Sequence, residues 1–189
     1  MSPVTHFLGS WILGDAATRE AKDRTLVAWC GVLPDADGLG AAVDVVNRLL
    51  GQESWYYAAY HHRLLHGLPA ALAIPALLAC FAVRKGRMFA IGVAAVHLHL
   101  LCDLVGSRGP GLDDVWPIFY LAPLSDHGVV TWSGQWPLNG WPNVLLTLGL
   151  LAWIVARAVC SGYSPVSVFS RGADRRVVAA LRHRWRRMR

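Results

Sequence analysis

Residues 88–106 read MFAIGVAAVHLHLLCDLVG. The run has no proline and no Lys or Arg, and its length approaches the roughly 20 apolar residues that a helix needs to cross a bilayer. It also carries three groups that a lipid-facing helix would not keep: His97, His99 and Asp103. Ionisable groups within such segments face a protein interior or a water-filled cavity. His99 and Asp103 are spaced i, i+4 and share one helix face, whereas His97 points to nearly the opposite side. The stretch therefore predicts a spanning helix with a functional face.

The rest of the chain agrees with a membrane setting. Over 189 residues, 54% are hydrophobic and 16% charged, with a mean hydropathy of +0.37. That balance excludes a disordered chain and argues against an ordinary soluble domain. Two further segments approach spanning length, Leu68 to Val83 and Asn143 to Cys160. Two shorter apolar pieces precede them. One opens at Ser2-Pro3, a cap followed by a favoured first-turn proline, and runs to about Ala17. The other covers Leu26 to Leu33 and stops at Pro34. The expected fold is an all-α, polytopic membrane bundle of three long apolar helices plus two shorter N-terminal ones. Residues 1–160 would form the embedded domain and 161–189 an Arg-rich cytoplasmic tail. No Lys or Arg precedes the apolar run from Phe7, which disfavours a cleaved leader. The four cysteines form no CxxC pair and read as small buried apolar residues.

Positive charge sets the orientation. Of 18 Lys and Arg, 15 lie in three places: Arg19 to Arg24, Arg84 to Arg87, and Arg157 to the end. Alternating crossings put these on one face and Arg48, Arg63 and Arg108 on the other. The positive-inside bias makes the rich face cytoplasmic, in an inner (plasma) membrane, with the long loops 35–66 and 104–142 outside. The tail suits anionic lipid headgroups better than a specific nucleic acid. Trp116, Trp132, Trp136 and Trp141 suit a loop anchored at headgroup depth.

The polar residues at the outer ends of these segments form a set: His6, the pair Asp35 and Asp37 in a P-D-x-D turn, His61, His62 and His66, then His99 and Asp103. Four chain-distant pieces converge on one side at one depth. Imidazole nitrogen and carboxylate oxygen together are the donor set of zinc and similar divalent ions. A shared metal site is the expectation.

In order along the chain, His6, Leu33-Pro34-Asp35-Ala36-Asp37, Tyr60-His61-His62-Arg63-Leu64-Leu65-His66-Gly67, His99-Leu100-Leu101-Cys102-Asp103 and Trp116-Pro117 resemble the membrane-bound metal-dependent hydrolases of the YdjM-like, inner-membrane group. The resemblance covers roughly residues 1 to 150. That group often reads H-R-G-x-T-H-S. His61 and His66 match its two histidines at a spacing of five, while His62 and Arg63 stand at its Arg and Gly positions and Gly67 at its Ser. A continuous helix would instead pair His62 with His66, so either His61 or His62 completes the ligand set. The His-x-x-x-Asp element is also similar to one in zinc-dependent phospholipase C and related single-strand nucleases, and that likeness implies phosphate-ester hydrolysis.

The expectation is thus a membrane-bound metal-dependent hydrolase holding two or three divalent ions, zinc foremost and manganese or iron as alternatives. His6, Asp35, His66, His99 and Asp103 would be direct ligands. Asp37 would bridge ions, orient a histidine or act as general base, and Asp35 would stand with it among the reacting groups. Arg63 and Arg108, almost the only cations on this side, would clamp phosphate. The substrate would be a lipid or a lipid-linked phosphate. The alternative is a non-catalytic metal-binding or ion-handling membrane protein.

Overall fold

The structure is a computed structural model and describes residues 1–187. The described residues contain eight α-helices: α1 (Pro3–Ala17), α2 (Ala21–Cys30), α3 (Gly40–Leu49), α4 (Tyr56–Tyr60), α5 (Leu68–Ala79), α6 (Lys85–Gly106), α7 (Trp141–Ser161) and α8 (Arg171–Arg187). Short 3-10 turns cover Leu33–Leu39 and Pro165–Val168, and a small hairpin pairs β1 (Ile118–Phe119) with β2 (Val129–Val130).

The opening helix starts as its sequence dictates. Ser2 accepts a hydrogen bond from the Thr5 N–H, and Pro3 occupies the first turn, where its missing N–H costs nothing. α6 packs against α1, α2 and α5, and α7 packs on α1. The interior is built from Trp11, Val27, Ala71, Met88, Ala95 and Val96, all fully buried. Close approach is set by a glycine. A Cβ at Gly92 would lie 2.9 Å from Pro75 Cβ and 3.0 Å from Cys30 Sγ, so α2, α5 and α6 meet where α6 has no side chain. At the opposite end from the histidines, the buried Asp23 accepts the Val83 and Arg84 N–H groups and ties the α5–α6 turn to α2.

The expectation of three long apolar helices is corrected. Among the described residues two helices, α6 and α7, are long and apolar enough to cross a membrane. A third span exists only if α2 and the following Leu33–Leu49 segment, bent by 42°, are taken as one broken crossing. Leu68–Val83 fails because the helix stops at Ala79; its 12 residues reach about 18 Å, against a hydrocarbon core of roughly 30 Å. The stretch 35–66 is also less loop-like than expected. It holds the Leu33–Leu39 turn, α3 and α4, with Asp44 accepting from the Ser54 hydroxyl and the Tyr56 and Tyr57 N–H groups to fold α4 back on α3.

The reading of the cysteines as buried holds for Cys30 but not for Cys80 or Cys160, which lie exposed on outward helix faces. The Arg-rich tail does form a helix. It packs on the end of α7, with Arg182 donating to the Val159 and Cys160 carbonyls and Asp174 accepting from Ser164.

Candidate metal centre

Five segments end at one place. α1 supplies His6, the turn after α2 supplies Asp35 and Asp37, the segment before α5 supplies His61, His62 and His66, and the C-terminal half of α6 supplies His99 and Asp103. The start of α7 closes the group from the side, where Asn143 donates to the Gly106, Pro137 and Leu138 carbonyls. Lys85 to Asp103 spans about 27 Å of α6 rise, which sets the cluster near one end of the crossing.

The helical spacing on α6 is realised: His99 Nε2 lies 3.0 Å from Asp103 Oδ2. His97 turns away, donating from Nδ1 to the Val93 carbonyl and meeting the Tyr120 hydroxyl at 3.0 Å through Nε2. His6 Nε2 reaches Asp103 Oδ1 at 3.1 Å, and the His6 and His99 rings stack with centroids 3.8 Å apart. The Met1 amino group and the Ser107 hydroxyl also contact Asp103 Oδ1. Ligand atoms of His6, Asp35, His99 and Asp103 all lie within 4.8 Å of one another, as do those of His61, His62 and His66. His66 joins the two groups, because its Nε2 is 3.1 Å from His99 Nε2, 3.5 Å from Asp103 and 3.8 Å from Asp35.

The P-D-x-D turn separates its two carboxylates. At about three residues per turn, positions two apart in a 3-10 helix point in different directions. Asp35 joins the His99 and Asp103 group and retains some exposure. Asp37 is buried behind the histidines, accepting from His61 Nδ1 at 2.8 Å, His66 Nδ1 at 3.0 Å and the Leu65 N–H.

Gly31 supplies the matching support on the other side. Its carbonyl accepts the His99 Nδ1–H at 2.8 Å. A Cβ there would sit 1.8 Å from Ser10 Oγ, so no larger residue lets α2 approach α1 closely enough to place that carbonyl.

The segment from His61 to Gly67 is a non-helical turn, so the i, i+4 pairing considered for His62 and His66 does not apply. Instead His62 adopts a left-handed backbone with φ 64°, uncommon outside glycine, and its ring stacks on that of His66 with centroids 4.4 Å apart. Burial, with the charge of His66 added, pushes the His62 imidazole down to about 3. Burial alone would also lower His66, but the nearby Asp103 carboxylate and the hydrogen bond to Asp37 outweigh it and raise the group to about 9.

The donor set fits a divalent ion. A carbonyl can only accept, so His99 carries its proton on Nδ1; His66 likewise donates Nδ1–H to the Asp37 carboxylate. In their neutral forms both histidines therefore aim Nε2 lone pairs into the same space, and those atoms are 3.1 Å apart. Holding the far nitrogen by a carboxylate or carbonyl is how metal-binding histidines are oriented. Asp35 Oδ2 and Asp103 Oδ2 are buried without a hydrogen bond, although Asp103 Oδ2 has two imidazole nitrogens close by. Such atoms are costly unless a cation or proton satisfies them.

Not every expected residue comes to this centre. Arg63 stacks over Phe119 at 4.3 Å and lies 3.5 Å from Asp126, in the outer hairpin region. Arg108 is bound through its backbone to Trp136 and Leu138. Neither lines the cavity beside the cluster, which is bordered by Asp35, Tyr57, His61, His62, Asp103 and Trp116 among others. Trp116, read as a headgroup anchor, instead packs edge-on against His61 and His62. Gln135 escaped sequence reading altogether. It is buried, donates to the Asp103, Leu104 and Trp116 carbonyls and accepts the Trp116 N–H, locking the outer loop onto α6. A lone glutamine between tryptophans carries no signal for that role, whereas Ser107, four residues after Asp103, does.

Residues 1–173 match the model of the YdjM inner membrane protein family, a longer match than the expected 150 residues, reaching past the Pro165–Val168 turn into α8. No curated protein and no solved structure matches the chain. The apolar helices α6 and α7 fit a multi-pass protein of the inner membrane. The chain belongs to the YdjM inner membrane protein family.

Proposed function

We propose that this protein is a membrane-embedded, metal-dependent hydrolase that cleaves a phosphate ester of a lipid or lipid-linked substrate. The observation that carries the reading is the pair of inward-facing Nε2 atoms of His66 and His99, backed by Asp37 and Gly31 and flanked by the unsatisfied oxygens of Asp35 and Asp103. His6, Asp35, His66, His99 and Asp103 would hold the ions, with His61 or His62 completing the set. Two or three divalent ions, zinc first for this nitrogen and oxygen set, would supply Lewis acidity toward phosphate and an activated water.

The chain's own residues do the rest. Asp37 keeps the His61 and His66 rings oriented. Asp35 borders the cavity; its Oδ1, toward His66 and His99, would hold an ion, while Oδ2, which has no hydrogen bond, would accept a proton. Arg63 and Arg108 have no part in the reading, since neither borders the cavity.

Lipid is favoured as the substrate class by two spaces that are each bordered by residues of the cluster. A cavity of about 310 Å³ lies on the Asp35 and His62 side. An apolar groove of about 400 Å³ runs between α1, α6 and α7, lined by His6, Leu13, Leu98, His99, Leu146 and Leu150 among others. A phosphate in the first and an acyl chain in the second would suit an amphipathic substrate entering from the bilayer. The charge distribution supports an outward-facing centre and a cytoplasmic C-terminus.

The test is elemental analysis of the full chain in detergent, followed by a lipid panel in mixed micelles with headgroup and phosphate release measured separately. Bound metal, chelator-sensitive release, and inactive Asp35→Asn and His66→Ala proteins are expected. Folded protein without metal would overturn the whole reading. Metal-loaded protein that ignores every lipid phosphate would overturn the substrate.

A further inference from the structure

A second concentration of charge lies at the other end of the bundle. Arg19 and Glu20 from the α1–α2 turn, Arg24 from α2, Arg84 and Arg87 around the start of α6, and Asp15, Arg157 and Tyr163 line a cavity of about 720 Å³. From Arg87 to Asp103 the α6 rise is about 24 Å, so this cavity is remote from the metal centre.

Five guanidinium groups face two carboxylates, and the pairing is uneven. Asp15 is the anchor. Its Oδ2 accepts from Arg157 Nε at 3.0 Å and Nη2 at 2.8 Å, and its Oδ1 accepts the Tyr163 hydroxyl at 2.6 Å. Arg24 forms the buried floor, 3.7 Å from Asp15 and 4.1 Å above the Tyr163 ring. Arg84 lies 3.8 Å from Glu20, at the outer limit of an ion pair. Arg19 and Arg87 have no carboxylate partner among the described residues and stand exposed at the rim.

The arrangement is held in place rather than left to flexible side chains. Asp23 binds the backbone of Val83 and Arg84, which keeps the α5–α6 turn, and with it Arg84 and Arg87, beside Arg24. α2 and α6 both begin at the rim without a side-chain cap, and their free N–H groups add to the positive field. Like charges repel at these separations unless an anion lies among them, and guanidinium groups match phosphate oxygens two at a time. The cavity also sits where α6 starts and α7 ends, at one end of both candidate spans. Basic pockets between helices on the positive face are suited to anionic lipid headgroups.

We propose that this cavity is a binding site for a phosphate-bearing anion, with Arg24 as its floor and Arg19 and Arg87 as the groups that close on it. The site makes no use of the metal centre and stands whether or not the hydrolase reading does.

The experiment titrates the full chain in detergent with diphosphatidylglycerol, phosphatidylcholine and inorganic pyrophosphate, and follows binding by thermophoresis. The Arg19→Gln/Arg87→Gln double variant tests the rim; Arg48→Gln, exposed in α3 at the other end of the bundle, removes charge elsewhere. Diphosphatidylglycerol should bind about tenfold tighter than phosphatidylcholine, and the rim variant should lose about tenfold while the Arg48→Gln variant keeps its affinity. If pyrophosphate binds with the same sensitivity to the rim variant and the lipid does not, the anion is a soluble phosphate. If the lipid alone binds in that way, it is a headgroup. Indifference to the rim variant, or equal loss in the Arg48→Gln variant, overturns the proposal.

Discussion

His66 and His99 face each other through Nε2 atoms 3.1 Å apart, while each hands its Nδ1 proton to a different acceptor, Asp37 and the Gly31 carbonyl. Two neutral imidazoles in that arrangement repel. A cation between them turns the repulsion into coordination, and a proton does so less completely.

His99→Ala and Asp103→Asn should lower bound metal by at least about tenfold, read by elemental analysis after equilibrium dialysis. His97→Ala should leave it unchanged, because His97 is spent on Val93 and Tyr120. Equal damage from His97→Ala would mean that the α6 face is wrongly assigned.

Asp37→Asn should behave differently from a ligand change. The residue meets the histidines from behind, so its loss should weaken affinity by about 10–100-fold while leaving the number of ions at saturation unchanged. A lower stoichiometry at saturating metal would make Asp37 a ligand instead.

The pH dependence has a definite sign. His66 is raised from its ordinary 6.5 to about 9 in the folded protein, so its contribution to stability is complete below 6.5 and is lost as pH rises through about 9. Chelator-treated protein should therefore show a falling melting temperature between those values. Metal and the Nε2 proton compete for the same lone pair, so apparent metal affinity should rise over the same window and binding should release protons. A melting temperature that rises with pH in the chelated protein would contradict the placement of His66.

Orientation is tested by thiol labelling of intact cells in a background lacking Cys30, Cys80, Cys102 and Cys160. Asp113→Cys and Asp126→Cys should react with an impermeant reagent, and Gly86→Cys and Ala173→Cys should be protected. The reverse pattern would invert the topology while leaving the clustering of histidines and carboxylates at one end intact.

Much of the helical framework and most of the centre follow from local chemistry. Ser2-Pro3 starts α1, the apolar run through Gly106 becomes α6, and the i, i+4 spacing puts His99 beside Asp103, because capping and helical periodicity act over one or two turns. Alternation of segment directions then brings His6, Asp35 and His66 to the same end, and that too is readable from segment order alone. What tertiary structure decided is everything that depends on approach between segments. Gly31 admits α2 against Ser10 and so gives His99 its carbonyl partner, and the turn from His61 to Gly67 stacks His62 on His66 where a helix was considered. The same contacts pull Asp37 behind the histidines and Trp116 onto them, and leave Arg63 with Phe119 and Asp126. The apolar run from Leu68 shortens to a helix ending at Ala79, because the α5–α6 turn is bound by Asp23, a residue about 60 positions earlier. Periodicity reports which face a residue occupies; only packing determines which partner it meets there, because the carbonyls, ring faces and close approaches involved come from segments far apart in the chain.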